Sequence, residues 1–155
     1  MTTSPEGKKR RALWEKMYGA RYQKHYSSRT GCFYCGDHAN TIDHCPPLSL
    51  CDLQEKKWFD KKKIGFYKVQ CCRWCNQKLS NRFLLTLEER AAYILNSLER
   101  LADKFVIWGE DEMSEMSEEF QMMLRAKKLE QSITINRIQF CQQLLMRRED
   151  FPEFL

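Results

Sequence analysis

The sequence predicts a small α+β protein. A short, metal-braced segment with two strands sits between a basic N-terminal helix and a C-terminal helical extension. Three observations predict it. Eight cysteines stand in 155 residues, and the opening MTTSPEGKKRR lacks a signal-peptide apolar region, so closely spaced pairs read first as metal ligands and second as disulfides. Charge is split along the chain: residues 1–82 carry 17 Lys+Arg against 7 Asp+Glu, whereas residues 83–155 carry 9 against 14. Apolar residues recur at helical spacing toward both ends, but from Cys32 to Cys75 the pattern is broken by Gly36, Pro46, Pro47 and Gly65. The expected division is therefore 1–30, 31–85 and 86–155.

At this length one ordinary domain, or a metal-dependent module with a helical extension, is expected, and a chain of this size buries roughly 70% of its unfolded surface. A metal site would thus brace one part, and other parts would survive its loss. Charged residues are 30% and hydrophobic ones 43%, which fits a globular protein and excludes a disordered one. No apolar run approaches the roughly 18 residues of a membrane span, so a cytoplasmic protein without a membrane partner is expected.

The elements follow in order. Pro5 to about His25 reads as a helix, with Leu13, Trp14, Met17, Tyr18, Arg21 and Tyr22 at helical spacing and Lys8, Lys9, Arg10 and Arg11 at its start. Two short strands are expected near Asn40–His44 and Phe66–Cys71. NQKLSNRFLL reads as a helix starting close to Asn76. TLEERAAYILNSLERLADKFVIW is the clearest helix: Thr86 and Glu89 match a capping box, Leu87, Ala91, Ile94, Leu95, Leu98, Leu101, Ala102 and Phe105 share a face, and Gly109 is its expected end. The acidic run EDEMSEMSEE suits the start of a further helix. Apolar stripes at Met113, Met116, Phe120, Met123 and Leu124, and at Ile138, Cys141, Leu144 and Leu145, read as core or as faces for a partner helix.

Chemistry concentrates in GCFYCGDHANTIDHCPP, Gly31 to Pro47. Cys32-x-x-Cys35 and Cys72-x-x-Cys75 are two knuckles, and two such turns complete a tetrahedral Zn²⁺ site of four sulfurs, with Cys71 as an alternative to Cys72. Cys45 and Cys51 have no partner at ligand spacing and read as buried small hydrophobes, as does Cys141 on its stripe. Asp37 and His38 read as surface. A plain zinc ribbon leaves Asp43, His44 and Asn76 unexplained. Joining the knuckles would bring that carboxylate, imidazole and amide close together.

C-F-Y-C-G, I-D-H-C-P-P and C-R-W-C-N-Q-K resemble the HNH endonucleases, in the subgroup whose ββα-metal core is braced by a four-cysteine zinc site. The likeness covers about Gly31 to Asn81, and its phrasing is similar to small HNH-like proteins of phage and mobile elements, which would place it in a host cytoplasm. The resemblance implies an endonuclease that hydrolyses DNA phosphodiesters. His44 would be the general base that activates water, and Asp43 and Asn76 would hold one Mg²⁺ or Mn²⁺, hard ions that suit oxygen ligands as zinc suits thiolates. Lys78 stands where many members carry a phosphate-contacting lysine. The family's middle asparagine has no counterpart between Cys45 and Cys71. Gln54 and Gln70 are the candidate substitutes.

That interval instead holds LQEKKWFDKKKIGFY. Lys56, Lys57, Lys61, Lys62 and Lys63 read either as phosphate contacts, with Trp58 and Phe59 stacking on bases, or as solubilising residues on a loop that the aromatics anchor. Arg10 and Arg11 have the same two readings. Two other functions compete with the nuclease: a catalytically silent, zinc-stabilised nucleic-acid-binding module, and a phage-type adaptor or inhibitor that binds a protein through its C-terminal helices.

Overall fold

The computed structural model describes residues 4–25, 30–51, 56–80 and 82–152, with the backbone alone at 51 and 56. Among these residues the chain is a small α+β protein with seven helices and one three-stranded sheet.

Helix α1 (Pro5–Tyr18) starts with proline in its first turn and with the Ser4 hydroxyl accepting from the Gly7 N–H at 3.2 Å. It is shorter than its periodicity predicts. After Tyr18 comes one tight 3₁₀ turn (Gly19–Arg21), and then the chain extends into strand β1 (Gln23–Lys24). The sheet claims this segment: the Gln23 N–H donates to the Phe66 carbonyl and the His25 N–H to the Lys68 carbonyl, both at 2.9 Å. Leu13 and Met17 are 54% and 60% exposed, and the inward face consists of Trp14, Tyr18 and Tyr22.

Strands β2 (Thr41–Cys45) and β3 (Tyr67–Cys71) pair antiparallel with Asp43 opposite Val69 and His44 opposite Lys68, while β1 joins the other edge of β3 in parallel, giving the order β1-β3-β2. Both strands lie within a residue of their predicted positions. The connection between them is not a lysine-rich loop. It contains helix α2 (Leu48–Cys51) and helix α3 (Lys56–Lys62), which carries Lys57, Lys61 and Lys62 outward and buries Phe59 completely.

Helix α4 (Arg73–Leu79) begins three residues earlier than predicted, because Cys72 caps it: the Cys72 sulfur accepts from the Cys75 N–H at 3.4 Å. Helix α5 (Leu87–Ala102) carries the predicted capping box, with the Thr86 hydroxyl accepting from the Glu89 N–H at 3.1 Å and the Glu89 carboxylate from the Thr86 N–H at 3.2 Å. It stops before Phe105. Gly109, its predicted end, instead starts helix α6 (Glu110–Ser114). Ser117 then caps helix α7 (Glu118–Met146), so the acidic run divides between two helix starts and the C-terminal stripe lies on the same 29-residue helix as Phe120 and Met123.

Two apolar clusters hold these parts together. The first joins the knuckle cysteines, Tyr34, Cys45, Val69 and Cys71 to Leu79 of α4, to Leu87, Ala91, Ile94 and Leu98 of α5, and to Cys141 and Leu144 of α7. Phe151 closes it against Phe33, ring centroids 5.9 Å apart, while His25 Nε2 donates to the Asp150 carbonyl at 2.7 Å. The second gathers Tyr18, Tyr22, Leu48, Phe59 and Phe66, with Trp14 and Trp58 packed on it. Truncating Phe59 to alanine should cost about 3–5 kcal/mol in urea unfolding. Its metal content should be unchanged, because Phe59 lies outside the cysteine cluster.

Candidate metal centre and its surroundings

Each knuckle is shaped by its own backbone. In the first, the Gly36 N–H donates to the Cys32 carbonyl at 2.9 Å, and Gly31 and Gly36 adopt φ of 92° and 75°, a region that L side chains avoid. The Phe140 ring lies directly over Gly36, so a side chain there would also collide. The second knuckle is the first turn of α4. The Phe33 N–H donates to the Gln70 carbonyl at 2.9 Å, seating the first knuckle on the strand that leads into the second.

The sulfurs of Cys32, Cys35, Cys72 and Cys75 converge, all within 4.8 Å of one another and all buried. Cys35 and Cys72 are 3.7 Å apart, too far for a disulfide of about 2.05 Å. It matches the roughly 3.8 Å edge of a sulfur tetrahedron around zinc at about 2.3 Å. The four cysteines are placed to hold a structural metal ion such as zinc. Of the adjacent pair, Cys72 completes the group. Cys71 ends β3, buried beside it. Cys45 and Cys141 are fully buried in the first cluster; the side chain of Cys51 lies outside the described residues.

Arg137 of α7 braces both knuckles. It pairs with Asp37 beyond the first and lies 5.5 Å from the Trp74 ring centroid in the second. Asp37 is thereby a structural partner as well as a surface residue.

Asp43 has a different setting from the one the resemblance implies. It is 3% exposed, and its carboxylate accepts from Arg90 Nη2 at 2.5 Å, from Arg90 Nε at 2.8 Å and from the Tyr34 hydroxyl at 2.5 Å. Burial, reinforced by the neighbouring carboxylate, pushes the Tyr34 phenol well above its ordinary pKa, so it stays a donor. Both carboxylate oxygens are engaged, one by Arg90 and the other by Arg90 and Tyr34. Arg90 is completely buried on the apolar face of α5.

His44 is turned the other way. Strand alternation sends Asp43 and Cys45 toward α4 and α5, and His44 toward α1, where its ring meets the edge of Tyr22 at 5.0 Å. Burial lowers its pKa below the ordinary 6.5, and Lys68, directly opposite on β3, lowers it further against the opposing pull of Asp43. At neutral pH it is an uncharged imidazole. Asn76 is half-buried in the middle of α4, next to Cys75, its N–H bonded to the Cys72 carbonyl at 3.0 Å. The three candidate groups therefore lie on adjacent elements, but the carboxylate and the imidazole face opposite sides of the sheet. Of the candidate substitutes for the missing asparagine, Gln70 is exposed on β3 and Gln54 lies outside the described residues.

The cations are outward. Arg10 and Arg11 on α1, Lys57, Lys61 and Lys62 on α3, Lys63 just after it, and Lys78 on α4 are exposed; Lys56 lies on α3 with its side chain outside the described residues. Trp58 and Phe59 pack edge to face, centroids 5.2 Å apart, and anchor α3 to the second cluster. No protein-family model, curated protein or solved structure matches the chain. Among the described residues no helix is long and apolar enough to cross a membrane.

Elsewhere, an apolar hollow of about 430 Å³ opens between the end of α5 and α7, lined by Phe105, Ile107, Trp108, Phe120, Met123 and Leu124. The sequence carried a signal for Arg90, a lone cation within an apolar helical face. It carried another for Arg137, one turn before Cys141.

Metal analysis of the purified chain should find about one tightly held zinc, lost in Cys75→Ser and retained in Cys71→Ser. Replacing Arg90 with alanine leaves Asp43 buried and unpaired and should cost about 3–5 kcal/mol in urea unfolding. For His44 the native pKa lies below the unfolded value, so its contribution is present above about pH 6.5 and is lost as pH falls through the unfolded pKa toward the native one. Any advantage of wild type over His44→Gln in urea midpoint should therefore shrink between pH 7.5 and 5.5, with wild type losing more.

Proposed function

We propose that the chain is a zinc-stabilised nucleic-acid-binding protein, related in design to the HNH core its knuckles resemble, with the acidic position of that core turned to structural use. The observation that carries this reading is the mounting of two cationic helices on one aromatic cluster. Trp14 and Tyr18 fix α1 there and Trp58 and Phe59 fix α3, while Arg21 pairs with Asp60 at 2.5 Å and ties the segments together. Lys8, Lys9, Arg10 and Arg11 of one helix and Lys57, Lys61, Lys62 and the adjoining Lys63 of the other remain exposed. Rigid helices that present clustered cations suit a polyanion, because each neutralised phosphate releases condensed counterions. The buried engagement of Asp43 favours binding over hydrolysis.

Anisotropy titration of labelled duplex DNA against salt tests this. Lys57, Lys61, Lys62 and Lys63 changed together to alanine should weaken binding and lower the salt slope by about 0.9 for each phosphate no longer neutralised. An unaltered slope in that variant, or no binding by wild type at low salt, would sink the reading.

Hydrolysis is the second reading, favoured by His44: a half-buried, neutral imidazole beside the cationic helices has the protonation state of a general base. Asn76 would then supply an oxygen ligand to Mg²⁺ or Mn²⁺. Supercoiled plasmid with either ion decides between them. Nicking by wild type that disappears in His44→Ala establishes the nuclease, and equal inertness of both proteins with DNA binding retained establishes the binding module.

A further inference from the structure

Cations from the basic and the acidic parts of the chain meet between α4 and α5. Trp74 and Lys78 stand one turn apart on α4. Tyr93, Ser97 and Arg100 follow at helical spacing on α5, and Lys104 lies just past its end. These six residues and Leu101 line a groove of about 260 Å³ between the two helices, and among the described residues no carboxylate lines it. Arg82 adjoins it, its guanidinium 4.4 Å over the Tyr93 ring and its Nε donating to the Lys78 carbonyl at 3.0 Å. Lys78 Nζ is 5.5 Å from the centroid of the Trp74 ring. Among the described residues none of Lys78, Arg82, Arg100 and Lys104 forms an ion pair.

Aromatic faces hold cations in place without neutralising them. The groove therefore gathers cations that no carboxylate among the described residues pairs, on side chains spread over two helices. The Ser97 hydroxyl donates to the Tyr93 carbonyl at 2.9 Å, which leaves anion recognition to the cations. Three lining cations exceed what one phosphate needs. They come from two helices, and a basic groove with aromatic walls is the kind of surface that tracks a single strand.

We propose that the groove between α4 and α5 binds the backbone phosphates of a single-stranded nucleic acid. This site lies on different helices from the α1 and α3 cations and does not depend on them. Arg100 and Lys104 are exposed and unpaired, so both can be replaced without disturbing the core.

The test uses the full zinc-loaded chain and a fluorescein-labelled twenty-nucleotide thymidine strand, titrated by anisotropy over a range of salt. Arg100→Ala with Lys104→Ala should bind about tenfold more weakly near 0.1 M salt, with a slope lower by about 1.4, from roughly 0.7 for each of two phosphates left without a cation. Arg100→Lys with Lys104→Arg should restore both. Pyrophosphate is titrated in parallel as a probe for a free phosphate ligand, and duplex binding by the same variants reports on the α1 and α3 face. An unchanged affinity and slope in the alanine pair would overturn the proposal. So would pyrophosphate binding that is lost in that pair while strand binding stays intact. Duplex binding that persists in either case leaves the reading of the cationic helices standing.

Discussion

The ion pair between Asp43 and Arg90 is the point at which the sheet is fixed to its helical layer. A bidentate guanidinium–carboxylate pair has one good geometry, and with both partners buried no water competes for it. The pair sets the position of β2 against α5, and the Tyr34 hydroxyl brings in the first knuckle. Removing two charges from water is expensive, so the pair's effect is best described as specification: any shift of α5 along the sheet would strand a buried charge. The same bond engages both carboxylate oxygens that β2 carries into the core.

The knuckles, the strands and the α5 capping box were legible because each depends on local spacing: two thiolates within one turn, alternation along a strand, a hydroxyl and a carboxylate three residues apart. The length of α1 was not, since the pairing of Gln23 with Tyr67 is a long-range event that overrides helical periodicity. Helix α3 was missed for a related reason. Its lysines mask a short apolar signal from Trp58 and Phe59 that acquires meaning only when Tyr18, Tyr22 and Phe66 converge on it. The role of Asp43 was hidden most completely, because the motif around it gives its neighbours in sequence and says nothing of a partner 47 positions away.

The two apolar clusters divide the work. One encloses the cysteine group and carries the C-terminal helices; the other carries no metal ligand and holds the cationic helices in place. The sheet is shared, with Val69 serving the first cluster and His44 turned to the side of the second. The surroundings of the cysteine group and the mounting of the cationic helices thus rest on different residues on opposite faces of the same strands.

Phe151 and the Asp150 carbonyl close over Phe33 and His25, so the last wall of the first knuckle comes from the far end of the fold. A chain made from its N-terminus has both cysteine pairs out of the ribosome well before that wall exists. An ion held by the four sulfurs would therefore have access while one side still faces water, before the aromatic seal forms. Order of synthesis would make a metal bound there an early organiser of the fold and the closing segment its late cover.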